Sequence, residues 1–141
     1  MRQLNRFLFI SICLGTILVL SPVPPTLLAQ DASSTGMHLE ETAICRQIVD
    51  REPLGRGSVF DVGVGRLYCF TKVVGAKTDT TIIHHWYLNG KLKASVTLPV
   101  NSVAWRTWSS KDITLNDAGD WMVEVLAADG TALESILFLV Q

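Results

Sequence analysis

The stretch that most restricts the fold is Thr80 to Val100, where an apolar-rich run, TIIHHWYL, meets Asn89-Gly90 and continues as the alternating run KLKASVTLPV. This is the pattern of a β-hairpin with one wet and one buried face: Leu92, Ala94, Val96, Leu98 and Val100 fall on one side, Lys91, Lys93, Ser95 and Thr97 on the other. A two-residue loop at Asn89-Gly90 pairs Trp86 with Lys93 and leaves Ile82, His84, Trp86 and Leu88 facing solvent. A three-residue loop, Leu88-Asn89-Gly90, pairs Trp86 with Leu92 and His84 with Ala94. Burial is worth roughly 1.5–3 kcal/mol per large side chain. The three-residue loop is therefore expected, with Ile82, Trp86, Leu92, Ala94 and Val96 on the core face.

The first residues read as a leader. Arg2 and Arg6 precede an apolar run from Phe7 to Leu20, followed by a proline-containing stretch that ends at Ala29. The run is too short for a membrane span of about 20 apolar residues and is interrupted by Ser11, Gly15 and Thr16. Residues 1–29 are expected to be a secretory signal peptide, residues 30–40 a flexible linker, and residues 41–141 a single β-sandwich domain. The expected location is periplasmic or secreted, with membrane attachment only if the leader is retained. Without Arg2 and Arg6, ten basic residues face thirteen acidic ones, a net charge of −3. The basic residues are scattered with none adjacent, which argues against nucleic acid as a partner.

Seven short apolar runs follow Glu41: ETAICRQIVD, GRLYCFTKVVG, TTIIHHWYL, KLKASVTLPV, VAWRTWSSKDITL, DWMVEVLAA and TALESILFLV. None holds a helical period, turn residues separate them, and Asp129-Gly130 marks a second hairpin. The segment Asp117 to Val123 has the form D-x-G-x-aromatic-x-apolar, which resembles the entry to the sixth strand of immunoglobulin-like domains, with Trp121 in place of the usual tyrosine. The expected fold is all-β, an immunoglobulin-like antiparallel β-sandwich of about seven strands. Val123 stands where such domains often carry a cysteine, leaving Cys45 as the only mate for Cys69. In an oxidising compartment these two, on the first and second strands, are expected to form a disulfide, with both side chains inward; the alternative is two free buried thiols.

Five segments in order, IVDREPLG (Ile48 to Gly55), GRLYCFTKVVGA (Gly65 to Ala76), HHWYLNGK (His84 to Lys91), WRTWSSK (Trp105 to Lys111) and GDWMVEVLAADG (Gly119 to Gly130), resemble the bacterial Domain of Unknown Function 2914 across about residues 42 to 141. The resemblance implies export and one β-domain. It brings no catalytic or binding residues with it.

The residues themselves offer few chemical candidates. His84 and His85 are neighbours on a strand and point to opposite faces, so they cannot share one metal without a bulge; no metal and no cofactor are expected. His84 reads as a core histidine bonded to a hydroxyl or carbonyl beside Trp86, and His85 as a solvated residue beside Tyr87 and Lys93. No nucleophile elbow, zinc-protease motif or phosphate loop is present, and Asp112, Asp117 and Asp120 read as turn and corner residues. Asp50-Arg51-Glu52-Pro53 reads as an ion-paired corner where Pro53 ends the first strand. In Val103 to Lys111, an inward Trp105 puts Arg106, Trp108 and Ser110 on the outer face, an aromatic platform beside a guanidinium suited to a sugar ring or a protein hot spot. The alternative there is a bulge near Arg106 that buries both tryptophans. The function expected is non-enzymatic binding of a protein or envelope glycan. The alternatives are a small hydrolase using His84 with Ser109 or Ser110, and a purely structural envelope subunit.

Overall fold

The computed structural model describes residues 36–141. The expected leader and the first residues of the linker lie outside them. The described residues form nine strands: β1 (His38–Val49), β2 (Glu52–Arg56), β3 (Val59–Phe60), β4 (Arg66–Val74), β5 (Thr80–Leu88), β6 (Lys91–Val100), β7 (Ala104–Asp112), β8 (Gly119–Ala127) and β9 (Ala132–Val140). They make two sheets, in the orders β2-β1-β4-β7 and β3-β9-β8-β5-β6. All neighbours are antiparallel except β3 and β9. The chain visits the second sheet at β3 and returns, crosses after β4, returns after β6 and crosses again after β7; its seven long strands follow the path of an immunoglobulin-like sandwich. The seven long strands are the seven expected ones. The other two, β2 and β3, come from residues 52–60, and β1 starts at His38, three residues before the expected domain boundary.

The β5–β6 hairpin departs from the expected three-residue loop. Asn89 (φ 49°) and Gly90 (φ 76°) both lie in the left-handed region, the requirement of a two-residue type I′ turn, and Asn-Gly is the pair that meets it at least cost. Leu88 accordingly pairs with Lys91, and Tyr87 with Leu92. The register then shifts: Trp86 pairs with Ala94, so Lys93 is an extra residue, a β-bulge. The bulge returns Ala94, Val96, Leu98 and Val100 to the core side and turns Leu92 outward, 53% exposed. Trp86 reaches the core by this route without the longer loop.

Between the sheets lie two apolar clusters. The larger contains Ile44, Leu67, Cys69, Trp86, Trp121, Val123, Phe138 and Val140; the smaller contains Val73, Ile82, Val100 and Val125. Trp121 stacks on Phe138 at 5.9 Å and Trp86 meets both edge-on, at 6.3 and 6.2 Å, each contact adding roughly 0.5–1.5 kcal/mol beyond burial. The corner before β8 forms as expected: Trp121 Nε1 donates to the Asp117 carbonyl at 2.8 Å. The Asp117 carboxylate accepts from the Thr114 amide and hydroxyl at 2.8 and 2.7 Å. Those bonds hold its pKa below the ordinary carboxylate value.

Cys45 and Cys69 are free and buried, which corrects the expected disulfide. The reason is the β1–β4 register: Ile44 pairs with Cys69 and Cys45 pairs with Tyr68, so the two thiols point to opposite faces of one sheet. Burial pushes the Cys69 thiol up to about 12 and raises that of Cys45.

Candidate binding site

β7 pairs with β4 without a break, from Arg66–Asp112 to Val74–Ala104. Trp105, Thr107 and Ser109 sit opposite Val73, Thr71 and Cys69 and face inward. Arg106, Trp108 and Ser110 sit opposite Lys72, Phe70 and Tyr68 and face outward. The outer row expected from the sequence is thus assembled, and the bulge that would bury both tryptophans is absent from this strand. Trp105 packs against the smaller core cluster.

The outer row is not an open platform, because the β1–β2 hairpin lies across it. β1 pairs with β4 only as far as Cys45, and from there it pairs with β2. Between them Asp50 (φ 51°) and Arg51 (φ 64°) make a tight turn in the left-handed region, a conformation that costs roughly 1 kcal/mol or more for a residue with a Cβ. The turn is held by what it reaches on β7. The Arg51 guanidinium sits 5.5 Å over the Trp105 ring and its Nη2 donates to the Arg106 carbonyl at 3.2 Å, while Glu52 pairs with Arg106 Nη2 at 3.0 Å. The Asp50–Pro53 cluster is therefore a hairpin tip docked two strands away and not a local corner. Pro53 is a buried residue of β2, paired with Ile48. The hairpin's position explains why Phe70, outward by register, is fully buried.

Arg106 and Trp108 are consequently half-buried and Ser110 is exposed. A groove of about 340 Å³ runs beside them, lined by Arg51, Pro99, Trp105, Arg106, Thr107 and Trp108. Arg106 Nε is buried and has no hydrogen-bond partner among the described residues. A donor in that state costs about 1–3 kcal/mol. Pro99 is not singled out in the sequence, and Arg51 and Glu52 read there only as members of a local corner. The one local sign was the Asp50-Arg51 pair between two runs able to form a hairpin.

His84 is fully buried on the inner face of β5, between the two apolar clusters. Its Nε2 lies 3.0 Å from Thr71 Oγ1 and its Nδ1 lies 2.8 Å from Ser109 Oγ, which also accepts from Trp86 Nε1 at 2.9 Å. With the proton on Nε2, Ser109 donates to Nδ1 and the imidazole donates to Thr71, so both ring nitrogens are satisfied. Desolvation lowers the pKa of His84 to about 4. The Ser109–His84 pair has hydrogen-bond distance but is sealed from solvent, and its imidazole is a weak base at neutral pH. Ser110, on the other face, cannot reach His84.

On the outer face of the second sheet, His85 sits opposite Ser95 and Glu124, not beside Lys93. Its Nδ1 is 3.9 Å from Glu124 Oε2, to which the Tyr87 hydroxyl donates at 3.3 Å. Among the described residues no group of three or more His, Cys, Asp and Glu is placed to hold a metal ion. Residues 79–140, from just before β5 to the end of β9, match a family described as "Protein of unknown function (DUF2914)". The matched span contains β7 and the groove side chains except Arg51. No curated protein matches the chain.

Proposed function

We propose that this chain, whose residues 79–140 match the DUF2914 family, is a non-enzymatic binding module exported behind residues 1–29 to the periplasm or the cell exterior, and that it holds a protein or envelope glycan in the groove along β7. The observation that carries the reading is the pairing of two tryptophans with two arginines in one groove. Indole faces give large contact area at low entropy cost and suit both sugar rings and peptide side chains, and arginine supplies directional donors. The charges around the groove largely cancel: Glu52 meets Arg106, and Glu40 meets Lys72, the neighbour of Arg106 across the ladder. A neutral or weakly polar ligand fits this balance better than a polyanion.

One observation favours a second reading, a structural envelope subunit. Leu92, Tyr87, Met122 and Leu137 form a continuous row across the outer face of the second sheet, with Leu137 71% exposed. Such a row suits assembly with a neighbour. A single experiment separates the two. A photo-cross-linking amino acid placed at Ser110 in the native envelope is expected to capture a partner or glycan, and Trp108→Ala is expected to abolish the capture without changing the melting temperature. Capture from Leu137 and none from Ser110 would refute the groove and favour the subunit. Osmotic-shock release of a form whose intact mass begins at Gln30 tests the export.

A further inference from the structure

We propose that the groove's occupant is an extended peptide segment of a partner protein that adds as a strand along the free edge of β7, pairing with the backbone of Trp108 and Ser110; this rests on the reading of the groove as a binding site. β7 is the last strand of its sheet. Flanking hydrogen bonds show which way its backbone groups point: the Val103 carbonyl accepts from Gly75 at 2.8 Å and the Ile113 amide donates to Gly65 at 2.9 Å, so odd-numbered residues turn toward β4. The even-numbered ones, Ala104, Arg106, Trp108, Ser110 and Asp112, turn their N–H and C=O groups away from it.

Three of those five carbonyls are already capped. Ser102 Oγ donates to Ala104, Arg51 to Arg106, and Lys111 Nζ to Asp112, at 2.8, 3.2 and 3.2 Å. Trp108 and Ser110 have no such cap among the described residues. They lie two residues apart, the spacing at which an antiparallel strand makes two hydrogen-bonded pairs, up to four bonds.

The remaining sheet edges are protected in recognisable ways. β2 is five residues long and contains Pro53, β3 is two residues long, and β6 carries both Pro99 and the bulge at Lys93. β7 is nine residues long with neither proline nor bulge. Its open part adjoins the groove, so an added strand would turn alternate side chains toward Pro99, Trp105 and Thr107. An apolar side chain at that position suits the lining. The preferred ligand is thus an extended segment with alternating apolar residues and no proline opposite Trp108 or Ser110.

The test uses the mature chain, residues 30–141, and a random dodecapeptide phage library. A selected peptide is titrated by fluorescence anisotropy in versions N-methylated at one backbone position each. Methylation at two alternate positions is expected to weaken binding about tenfold or more, and at the positions between them less than about twofold. Ser110→Ala is expected to retain binding and Ser110→Pro to lose it, since proline removes an edge donor and no bond to β4. If Ser110→Pro fails to fold, the methylated peptides decide alone. Binding that tolerates methylation throughout but is lost in Trp108→Ala would overturn strand addition and leave the groove. The same holds for a library without binders when Ser110 cross-links to a glycan; no capture by any route would overturn both. A homodimer abolished by Ser110→Pro would put a second copy on the edge and overturn the partner peptide.

Discussion

Acidification should weaken the fold in a window set by one buried side chain. His84 takes a proton near its ordinary value of 6.5 when the chain is unfolded, but only near 4 when folded, because desolvation disfavours the imidazolium. Between those values the unfolded chain binds more protons, so stability falls as pH falls. The slope is at most about 1.4 kcal/mol per pH unit, and the total across the window is about 3 kcal/mol. That is a large part of the 5–15 kcal/mol typical of a domain. Glu40, Asp112, Asp117 and Asp129 have lowered pKa values. Their contribution is present above the ordinary carboxylate value and is lost only as pH falls through about 4 and below, so it leaves the upper part of the window to His84. Urea denaturation followed by tryptophan fluorescence from pH 7 to 4.5 reads the effect. His84→Gln, which cannot titrate, should lower stability at pH 7 and flatten the slope. A wild-type profile that is level between pH 6.5 and 4.5, or one equally steep in His84→Gln, would refute the reasoning.

Two further outcomes follow from the hairpin and the thiols. Trp86→Ala should cost roughly 3–5 kcal/mol, whereas Leu92→Ala should cost under about 0.5 kcal/mol because the bulge turns Leu92 outward; equal shifts in their urea midpoints would sink the register. Mature protein prepared without reductant should show no mass deficit from lost hydrogens and should release two titratable thiols per chain on unfolding, with neither reacting quickly beforehand. A chain with no titratable thiol would contradict the facing of Cys45 and Cys69.

What was legible in the sequence is what alternation encodes. Along the long strands the core side chains recur at every second position over most of their length, and the Asp117–Trp121 corner and the hydroxyl partners of His84 lie where a period of two puts them. Where a second requirement overrode the alternation, the reading failed. At Asn89-Gly90 the turn chemistry and the burial of Trp86 looked incompatible, and the bulge at Lys93 satisfies both with one extra residue that carries no sign of its role. At Cys45 the failure has another origin. Ala43, Ile44 and Cys45 are all buried, because the hairpin covers the outer face of the sheet there, so burial no longer reports which side a residue faces. Nothing local says where that hairpin docks: Arg51 and the Arg106 carbonyl it bonds are 55 residues apart.

The Thr71–His84–Ser109–Trp86 chain also constrains how this domain can drift. Alanine in place of Ser109 would orphan the indole N–H and one imidazole nitrogen together, each a loss of about 1–3 kcal/mol, whereas an aliphatic or phenyl side chain at all the positions at once leaves nothing to satisfy. Single replacements are therefore barred where a joint one is open. Across relatives these four positions should exchange as a block, polar together or apolar together, tying β4 and β7 of one sheet to β5 of the other through a dependency that no two of the segments display by themselves.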